Sequence, residues 1–320
     1  MMRRLFNPGL FQGRLTYRNY FEGWYFKHVS SDLENVLSFI PGISLSQGDS
    51  HSFIQIINGI TGETEYIEYP LEKFYWDKKR IFVKVGDSVF SDSHIDLNIS
   101  SNGQTIRGSV RYDDITPYPK RAFAPGIMGW YSFVPFMECK HGVVSVNHGL
   151  SGSLKINDDH IDFYGGKGYI EKDWGTSFPE AWIWMQSNNF ATPGTSFMLS
   201  VAKIPWLGRY FTGLISFLYL NGKFHLFSTY NNSSFSGVNY DGSRLGIILM
   251  NSEMTLEITA IKNLSGELRA PKTGKMSRHI KESIDSELVL KLYDRNKVTL
   301  WEDTGKRAGL EIIDRIFEYI

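Results

Sequence analysis

The sequence predicts an all-β protein built from two antiparallel, barrel-like halves with few short helices. Apolar and polar residues alternate through most of the chain, as in HSFIQIING (51–59). Asn221 and Gly222 separate two such stretches, as in a two-residue hairpin. Helical periodicity is nearly absent. Because there are too many strands for one small barrel, and because barrels hide strand edges, we expect two halves at 1–165 and 166–320.

The alternating stretches follow one another along the chain, with turn residues between them. They lie at 20–28, 51–59, 79–87, 94–103, 105–114, 150–166, 195–205, 214–230, 243–262 and 286–303. Residues 115–150 carry the groups TPYP, APG, MGW, VPF and NHG, which predict a long connection. Two helices are expected. One is short and lies near 277–285, and the other lies at 310–320, where the first half also fits a strand.

Composition argues against a nucleic-acid binder and favours an apolar pocket. Lysine plus arginine (34) and aspartate plus glutamate (34) give a formal charge of 34 − 34 = 0, whereas nucleic-acid binders carry a basic surplus. The single cysteine, Cys139, allows no intrachain disulfide and fits a reducing compartment. Aromatic residues make up 15% of the chain, which favours strands and a large apolar cavity.

The sequence predicts neither a signal peptide nor a transmembrane helix. Asn7, Pro8 and Gly9 interrupt the N-terminal segment, which makes it a poor signal peptide. The longest apolar run, 204–220, is short and contains Arg209, so it is a poor transmembrane helix. We therefore expect a cytoplasmic protein. Peripheral contact with a membrane stays open, as does the oligomeric state.

The stretch YFEGWYFKH (20–28) places a carboxylate beside a large aromatic residue. In a strand, alternate residues share a face, so Glu22, Trp24 and His28 point one way and Tyr25 points the other. A carboxylate next to an indole on one face is typical of a cavity wall. We expect this stretch and residues 168–190 to line one apolar cavity that holds an acidic group. The alternative is a surface face on which Glu22 forms a salt bridge.

The stretch GYIEKDWG (168–175) brings two carboxylates onto one face. Glu171 and Asp173 share that face, and Lys172 and Trp174 take the other. Two neighbouring carboxylates repel each other, so burial would keep one protonated near neutral pH, as a general acid requires. The alternative is a cluster at a rim, neutralised by Lys172 and other cations.

The stretch AWIWMQSNNF (181–190) follows closely and sets Trp182, Trp184 and Gln186 in step, with Asn188 next in the alternation. Its position after the carboxylates favours a cavity lining, although such a ladder is also common in a barrel core. No HxH, HExxH, GxSxG, Walker or strand-linked GxGxxG pattern occurs, so no metal and no cofactor are expected. His148 lies seven residues after His141, and a structural role for it competes with a functional one.

Four stretches together resemble the tocopherol cyclase family. They are YFEGWYFK (20–27), PGIMGWYSFVPFMECKHGVVSVNHGLSG (125–152), GYIEKDWGTSFPEAWIWMQSNNF (168–190) and LRAPKTG (268–274), and their order and spacing match across nearly the whole chain. The resemblance implies two lipocalin-like antiparallel β-barrel halves packed together, similar to carotenoid hydratases. It also implies acid-catalysed closure of a prenylated hydroquinone to a chromanol without a redox cofactor.

The resemblance implies roles for the site residues. Glu171 or Glu22 would donate the proton, Asp173 would be the charge partner of that acid, and His148 would relay a proton to the phenol. The residues expected to contact a small lipophilic substrate are Trp24, Tyr25, Trp174, Trp182, Trp184, Gln186 and Asn188. Plant members carry EKNWG where this chain has Asp173 in EKDWG, so Glu171 and Glu22 match the motif better. A binding protein without turnover and a hydratase of an isoprenoid alkene are the alternative functions.

Overall fold

The structure is a computed structural model that describes residues 2–206 and 208–320, and most of this chain is β-strand. The described strands form one sheet of 12 strands and one of 10. The α-helix α1 spans Met2–Leu5, and short 3₁₀ helices span Leu71–Lys73, Gly129–Phe133, Thr229–Asn231 and Asp314–Glu318. The prediction of an all-β fold on two sheets is therefore confirmed.

The first sheet contains the strands of the N-terminal half. They are β1 (Tyr20–Val29), β2 (Val36–Leu45), β3 (His51–Asn58), β4 (Thr64–Pro70), β5 (Phe74–Trp76), β6 (Phe82–Val85), β7 (Ser88–Ser91), β8 (His94–Ser101), β9 (Gln104–Pro117), β10 (Cys139–Ile156), β11 (Asp159–Asp162) and β12 (Lys167–Gly175). Their order is β4-β3-β2-β1-β12-β10-β9-β8-β7-β6-β5, with β11 beside β10. Strand β6 near one end contacts β2 and β3 near the other, so the sheet curls towards a barrel.

The second sheet contains the C-terminal strands. They are β13 (Trp182–Ser187), β14 (Ser196–Trp206), β15 (Arg209–Leu220), β16 (Lys223–Ser228), β17 (Ser234–Tyr240), β18 (Arg244–Met250), β19 (Met254–Ile261), β20 (Gly266–Lys272), β21 (Lys275–Asp294) and β22 (Thr299–Ile312). Their order is β16-β15-β14-β13-β22-β21-β19-β18-β17, with β20 beside β21. The hairpin between β15 and β16 turns through Asn221 and Gly222, which have φ of 50° and 76°, as predicted.

The chain forms two compact units. The first contains the chain up to Asn58, Glu63–Phe178 and Glu267–His279, and the second contains Gly59–Gly62, Pro179–Gly266 and Ile280–Ile320. Each unit has its own apolar core. The division predicted at 165/166 differs from this grouping at β12, because β12 pairs with β1 on one side and β10 on the other.

Two local expectations are wrong, and a third is confirmed in part. Residues 277–285 are not a helix but part of the long strand β21. In the C-terminal stretch the strand alternative holds, since β22 continues to Ile312, and the helix that follows at Asp314–Glu318 is a short 3₁₀ helix. The connection is shorter than 115–150, because β9 and β10 extend as a long antiparallel pair and leave 118–138 between them. Bulges in β10 accommodate its irregular pairing.

Strand β1 lies in the middle of the first sheet and is buried along almost its whole length. Burial of both faces means that its polar residues Glu22, Lys27 and His28 are also buried. Buried polar groups need partners, so this part of the sheet is where ionic and hydrogen-bonded clusters are expected. Among the residues described, the helices are too short to cross a bilayer.

Candidate functional site

The pairing of β1 with β12 decides which candidate residues share a face. Opposed residues in an antiparallel pair project to the same side. Trp174 opposes Glu22, and Lys172 opposes Trp24, so these four residues share one face. This is the core face, because the side chains of Trp24, Phe26 and Ile170 belong to the apolar core of the first unit.

The opposite face of the same strands carries the second carboxylate. Glu171 opposes Tyr25, and Asp173 opposes Gly23. Glu22 and Glu171 therefore project from opposite faces of one sheet. The expectation that both carboxylates line one cavity is wrong, because their positions in the strand register differ by three residues, and an odd offset puts them on opposite faces.

On the core face, Glu22 forms a fully buried ion pair with Lys172. Its carboxylate also accepts hydrogen bonds from the backbone N–H groups of Gln12 (2.8 Å) and Gly13 (3.0 Å) and from the Tyr20 hydroxyl. All of these contacts come from donors, which suits an ionised carboxylate that acts only as an acceptor. The alternative of a salt bridge at Glu22 is therefore correct, but the salt bridge is buried and not at the surface.

The two indoles of the core face surround the lysine. The Lys172 ammonium lies 4.5 Å from the ring centroid of Trp24 and 5.0 Å from that of Trp174, within the range of cation–π contacts. Burial lowers the pKa of Lys172 to about 8, and the Glu22 carboxylate opposes this shift. Trp24 and Trp174 thus already contact a cation supplied by the chain itself.

The N-terminal segment covers this ion pair. Lys172 donates to the carbonyl oxygens of Pro8 (2.9 Å) and Leu10 (2.5 Å), and Trp24 Nε1 donates to the carbonyl of Gly9 at 2.7 Å. Phe11 packs into the core of the first unit. The Glu22–Lys172 pair therefore fastens residues 8–13 onto the sheet.

On the opposite face, four residues form what we call the Glu171 cluster: Tyr169, Glu171, Asp173 and His141. His141 Nδ1 lies 2.9 Å from Asp173 Oδ1, and its Nε2 lies 3.4 Å from Glu171 Oε2. The Tyr169 hydroxyl donates to Glu171 Oε2 at 2.6 Å. Alternation along β12 places the three β12 residues on one face, and strand pairing sets His141 of β10 opposite Asp173.

Burial and charge fix the state of two members of this cluster. Burial alone would lower the pKa of His141, but the charges of Asp173 and Glu171 outweigh it and raise the pKa to about 10. Burial, together with the Glu171 charge, raises the pKa of Tyr169 well above its ordinary value. His141 is therefore an imidazolium at neutral pH, and Tyr169 is a neutral phenol that donates a hydrogen bond.

The Glu171 cluster also offers ligands to a metal ion. One ligand atom each from His141, Glu171 and Asp173 lies within 4.8 Å of the others. An imidazole nitrogen and two carboxylate oxygens are donors that divalent cations accept. Sequence reasoning missed His141, because it joins the carboxylates through strand pairing rather than through a local motif. The only sequence signal was its place in the resembling stretch 125–152.

His148 lies apart from this cluster, on the core face. Its Nδ1 lies 2.8 Å from the Ser145 hydroxyl oxygen, and its ring contacts that of Tyr112 with centroids 4.4 Å apart. Tyr112 is in turn hydrogen-bonded to His28 Nε2 at 2.8 Å. Burial lowers the pKa of His28 to about 3 and that of His148 well below its ordinary value, so both rings are neutral.

Four predicted substrate contacts belong to the second unit. Trp182 Nε1 donates to Glu311 Oε2 at 2.5 Å, and Trp184, Gln186 and Asn188 are buried. The alternating residues Ile183 and Met185 fill the core of that unit, and the two indoles do not. Trp182, Trp184 and Gln186 are therefore buried on the face of β13 opposite to this core cluster.

Comparison with known proteins relates most of this chain to a family. A family model described as tocopherol cyclase-like matches residues 97–313. The chloroplastic tocopherol cyclase of Zea mays is 30% identical over 115 residues, which cover 36% of this chain and 21% of the maize protein. The chain thus aligns with about a fifth of that relative.

Solved structures share the fold at low sequence identity. CghA is 10% identical with a TM-score of 0.57, over 92% of this chain and 88% of CghA. Kievitone hydratase from Nectria haematococca is 9% identical with a TM-score of 0.50, over 95% of this chain and 93% of the hydratase. Because the family model covers more than half of the chain, the protein belongs to the tocopherol cyclase-like family.

Proposed function

We propose that this protein is an enzyme that protonates an alkene of a lipophilic prenylated hydroquinone, or of a related isoprenoid, and closes a chromanol-type ring. The observation that carries the proposal is the buried Glu171 cluster, in which two carboxylates, an imidazolium and a phenol meet on one face of the first sheet. Membership of the tocopherol cyclase-like family supports the reaction class.

The geometry of the Glu171 cluster suits a proton donor with a charge partner. The His141 ring lies between the two carboxylates, with Nδ1 2.9 Å from Asp173 Oδ1 and Nε2 3.4 Å from Glu171 Oε2. The Glu171 side chain is the more deeply buried of the two, at 5% exposed against 27% for Asp173. We therefore assign proton donation to Glu171 and the role of charge partner to Asp173, joined to it through His141.

Glu22 suits this role less well. Its carboxylate accepts from Gln12, Gly13, Tyr20 and Lys172, so both of its oxygens are already engaged by groups of the chain itself. It also lies on the face that the N-terminal segment covers. We therefore assign Glu22, with Lys172, Trp24 and Trp174, to holding the first unit together.

The proposed reaction conserves atoms and electrons. The Glu171 carboxyl group gives its proton to one alkene carbon, so a C–H bond forms while the π bond breaks. A tertiary carbocation remains at the neighbouring carbon, and the carboxylates of Glu171 and Asp173 stabilise it electrostatically. The phenol oxygen of the substrate attacks this carbon, and its proton returns to Glu171. No redox step occurs.

Substrate contacts on the same face begin with Tyr25, which opposes Glu171 and is buried. Its ring and that of Tyr169 are proposed to lie along the isoprenoid chain near the acid. Trp182, Trp184, Gln186 and Asn188 are buried in the second unit, and their contact with a substrate stays a prediction from the family resemblance. His148, on the core face, is assigned a structural role.

Turnover in deuterated buffer tests the proposal. Purified protein is incubated with a prenylhydroquinone in D₂O, and the products are analysed by mass spectrometry and NMR. The proposal expects a cyclised product with one deuterium. The deuterium should be on the former alkene carbon that neighbours the carbon now bonded to the phenol oxygen. A product that has gained water instead assigns the protein as a hydratase. Absence of any product, with tight retention of the hydroquinone, assigns it as a binding protein, and a cyclised product without deuterium contradicts proton donation by the enzyme.

A further inference from the structure

The connection between β9 and β10, residues 118–138, exposes an unusual number of large aromatic side chains. We call it the aromatic segment. Phe123 is 84% exposed and Phe136 is 98% exposed, and Trp130 and Phe133 are 46% and 44% exposed. Single exposed apolar residues are ordinary, but four aromatic residues within 14 positions mark an interaction surface.

The aromatic segment is held in place rather than hanging loosely. Tyr118, Ile127 and Met128 are buried and anchor it. A 3₁₀ helix spans Gly129–Phe133, and Lys140 Nζ donates to the carbonyl of Ser132 at 3.1 Å. The exposed rings are therefore presented by a defined backbone.

Phe136 is presented outwards at a conformational cost. Its φ is 65°, in the left-handed region that bulky L-residues rarely adopt. Such strain normally persists where packing or function maintains it. Because the Phe136 side chain is almost fully exposed, this backbone conformation directs the ring away from the core and towards the surroundings.

Two basic residues stand near the start of the aromatic segment. Residues 118–138 contain Lys120, Arg121 and one acidic residue, Glu138, which gives 2 − 1 = +1. Lys120 and Arg121 lie at the exposed beginning of the segment, three and two positions before Phe123. Exposed aromatic rings beside basic residues are the pattern that binds the headgroup region of anionic bilayers.

We propose that the aromatic segment docks the protein onto the surface of an anionic lipid bilayer. Phe123, Trp130, Phe133 and Phe136 enter the headgroup region, and Lys120 and Arg121 contact lipid phosphates. Aromatic rings that protrude singly can insert shallowly into a bilayer, because lipid surrounds each ring and no complementary pocket is needed. This inference depends on the exposed segment alone and not on the chemistry proposed for the Glu171 cluster.

Flotation with lipid vesicles tests the docking surface. The full chain is mixed with vesicles of phosphatidylcholine alone or with phosphatidylglycerol added. We expect the wild type to float with the anionic vesicles. The double variant Phe123→Ser/Phe136→Ser should bind about tenfold or more weakly. Lys120→Gln/Arg121→Gln should lose the preference for anionic lipid, and binding of the wild type should weaken as salt is added.

The matched control removes two exposed aromatic rings elsewhere on the first unit. Tyr75 is 58% exposed and Tyr164 is 75% exposed, so Tyr75→Ser/Tyr164→Ser should bind vesicles as the wild type does. Trp130→Phe provides a second readout: it should remove a fluorescence blue shift that the wild type shows with vesicles. No flotation of the wild type, equal binding of the segment and control variants, or a wild-type dimer that the Phe123/Phe136 variant abolishes would each overturn the proposal.

Discussion

Glu22 and Glu171 lie on adjacent strands of one sheet and project from opposite faces. Glu22 opposes Trp174 on the core face, and Glu171 opposes Tyr25 on the other. The two carboxylates look alike in the sequence, since each stands within a run of aromatic residues and near a lysine. Their surroundings give them different roles, an ion-pair partner in one case and a proposed acid in the other.

The Glu22–Lys172 pair should stabilise the first unit only as a pair. Glu22→Gln and Lys172→Met each leave a buried group without its charged partner, so each single change should lower the free energy of unfolding by about 3–5 kcal/mol. The double variant should recover much of that loss. Denaturant unfolding of all four proteins measures the coupling, and additive losses would contradict a directly coupled pair.

The lowered pKa of Lys172 predicts a pH dependence of stability. The unfolded state holds the lysine proton up to about pH 10.5, and the folded state releases it at about pH 8, so the unfolded state binds more protons in this window. Stability should therefore rise with pH between about 8 and 10.5. A pKa difference of 10.5 − 8 = 2.5 corresponds to about 3 kcal/mol.

The comparison that isolates this contribution is wild type against the Glu22→Gln/Lys172→Met double variant, because the double variant lacks the lysine without leaving the Glu22 carboxylate unpaired. The difference in their free energies of unfolding is measured from pH 7 to pH 10. The wild type should gain stability relative to the variant as the pH rises. A constant difference, or a change of the other sign, would show that Lys172 stays charged in the folded protein.

The pKa values of two buried histidines, His141 and His28, should be shifted in opposite directions. His141 has a pKa raised to about 10, whereas burial lowers that of His28 to about 3. Nitrogen NMR of the imidazole rings, assigned with His141→Gln and His28→Gln, should show a charged His141 at pH 8 and a neutral His28 at pH 5. The signals that disappear in His141→Gln belong to His141. If they show a neutral ring at pH 8, the Glu171 cluster lacks the positive charge assigned to it here.

His148 lies tightly against Gly168, which leads to a stability prediction. A Cβ at position 168 would lie 2.1 Å from His148 Nε2, so Gly168→Ala must displace a buried ring that Ser145 and Tyr112 hold. We expect a loss of about 1–3 kcal/mol in the free energy of unfolding. Gly149→Ala is the matched control on β10, since its Cβ would meet nothing closer than 3.7 Å. Equal effects of the two changes would contradict the observed packing.

Strand geometry made much of the fold and part of the site predictable. Alternation predicted the strand stretches and the shared face of Glu171 and Asp173. The Asn221-Gly222 turn predicted the hairpin. It could not place Glu22 relative to Glu171, because that relation depends on the register between β1 and β12. His141 was missed for the same reason, since pairing across β10 and β12 brings it to Asp173. The helix expected at 277–285 failed because pairing with neighbouring strands outweighs weak local helical periodicity.

The most direct measurement of the central claim is turnover and ligand affinity on one sample of Glu171→Gln. Glutamine keeps the shape of the side chain but has no acidic proton to give. We expect turnover of the prenylhydroquinone to fall by about 10²–10⁴-fold while its affinity stays within a few-fold of wild type. Glu68→Gln, on the exposed ion pair with Arg269, serves as the control and should turn over normally. Normal turnover in folded Glu171→Gln would contradict the account, because the acid would then have to be another group.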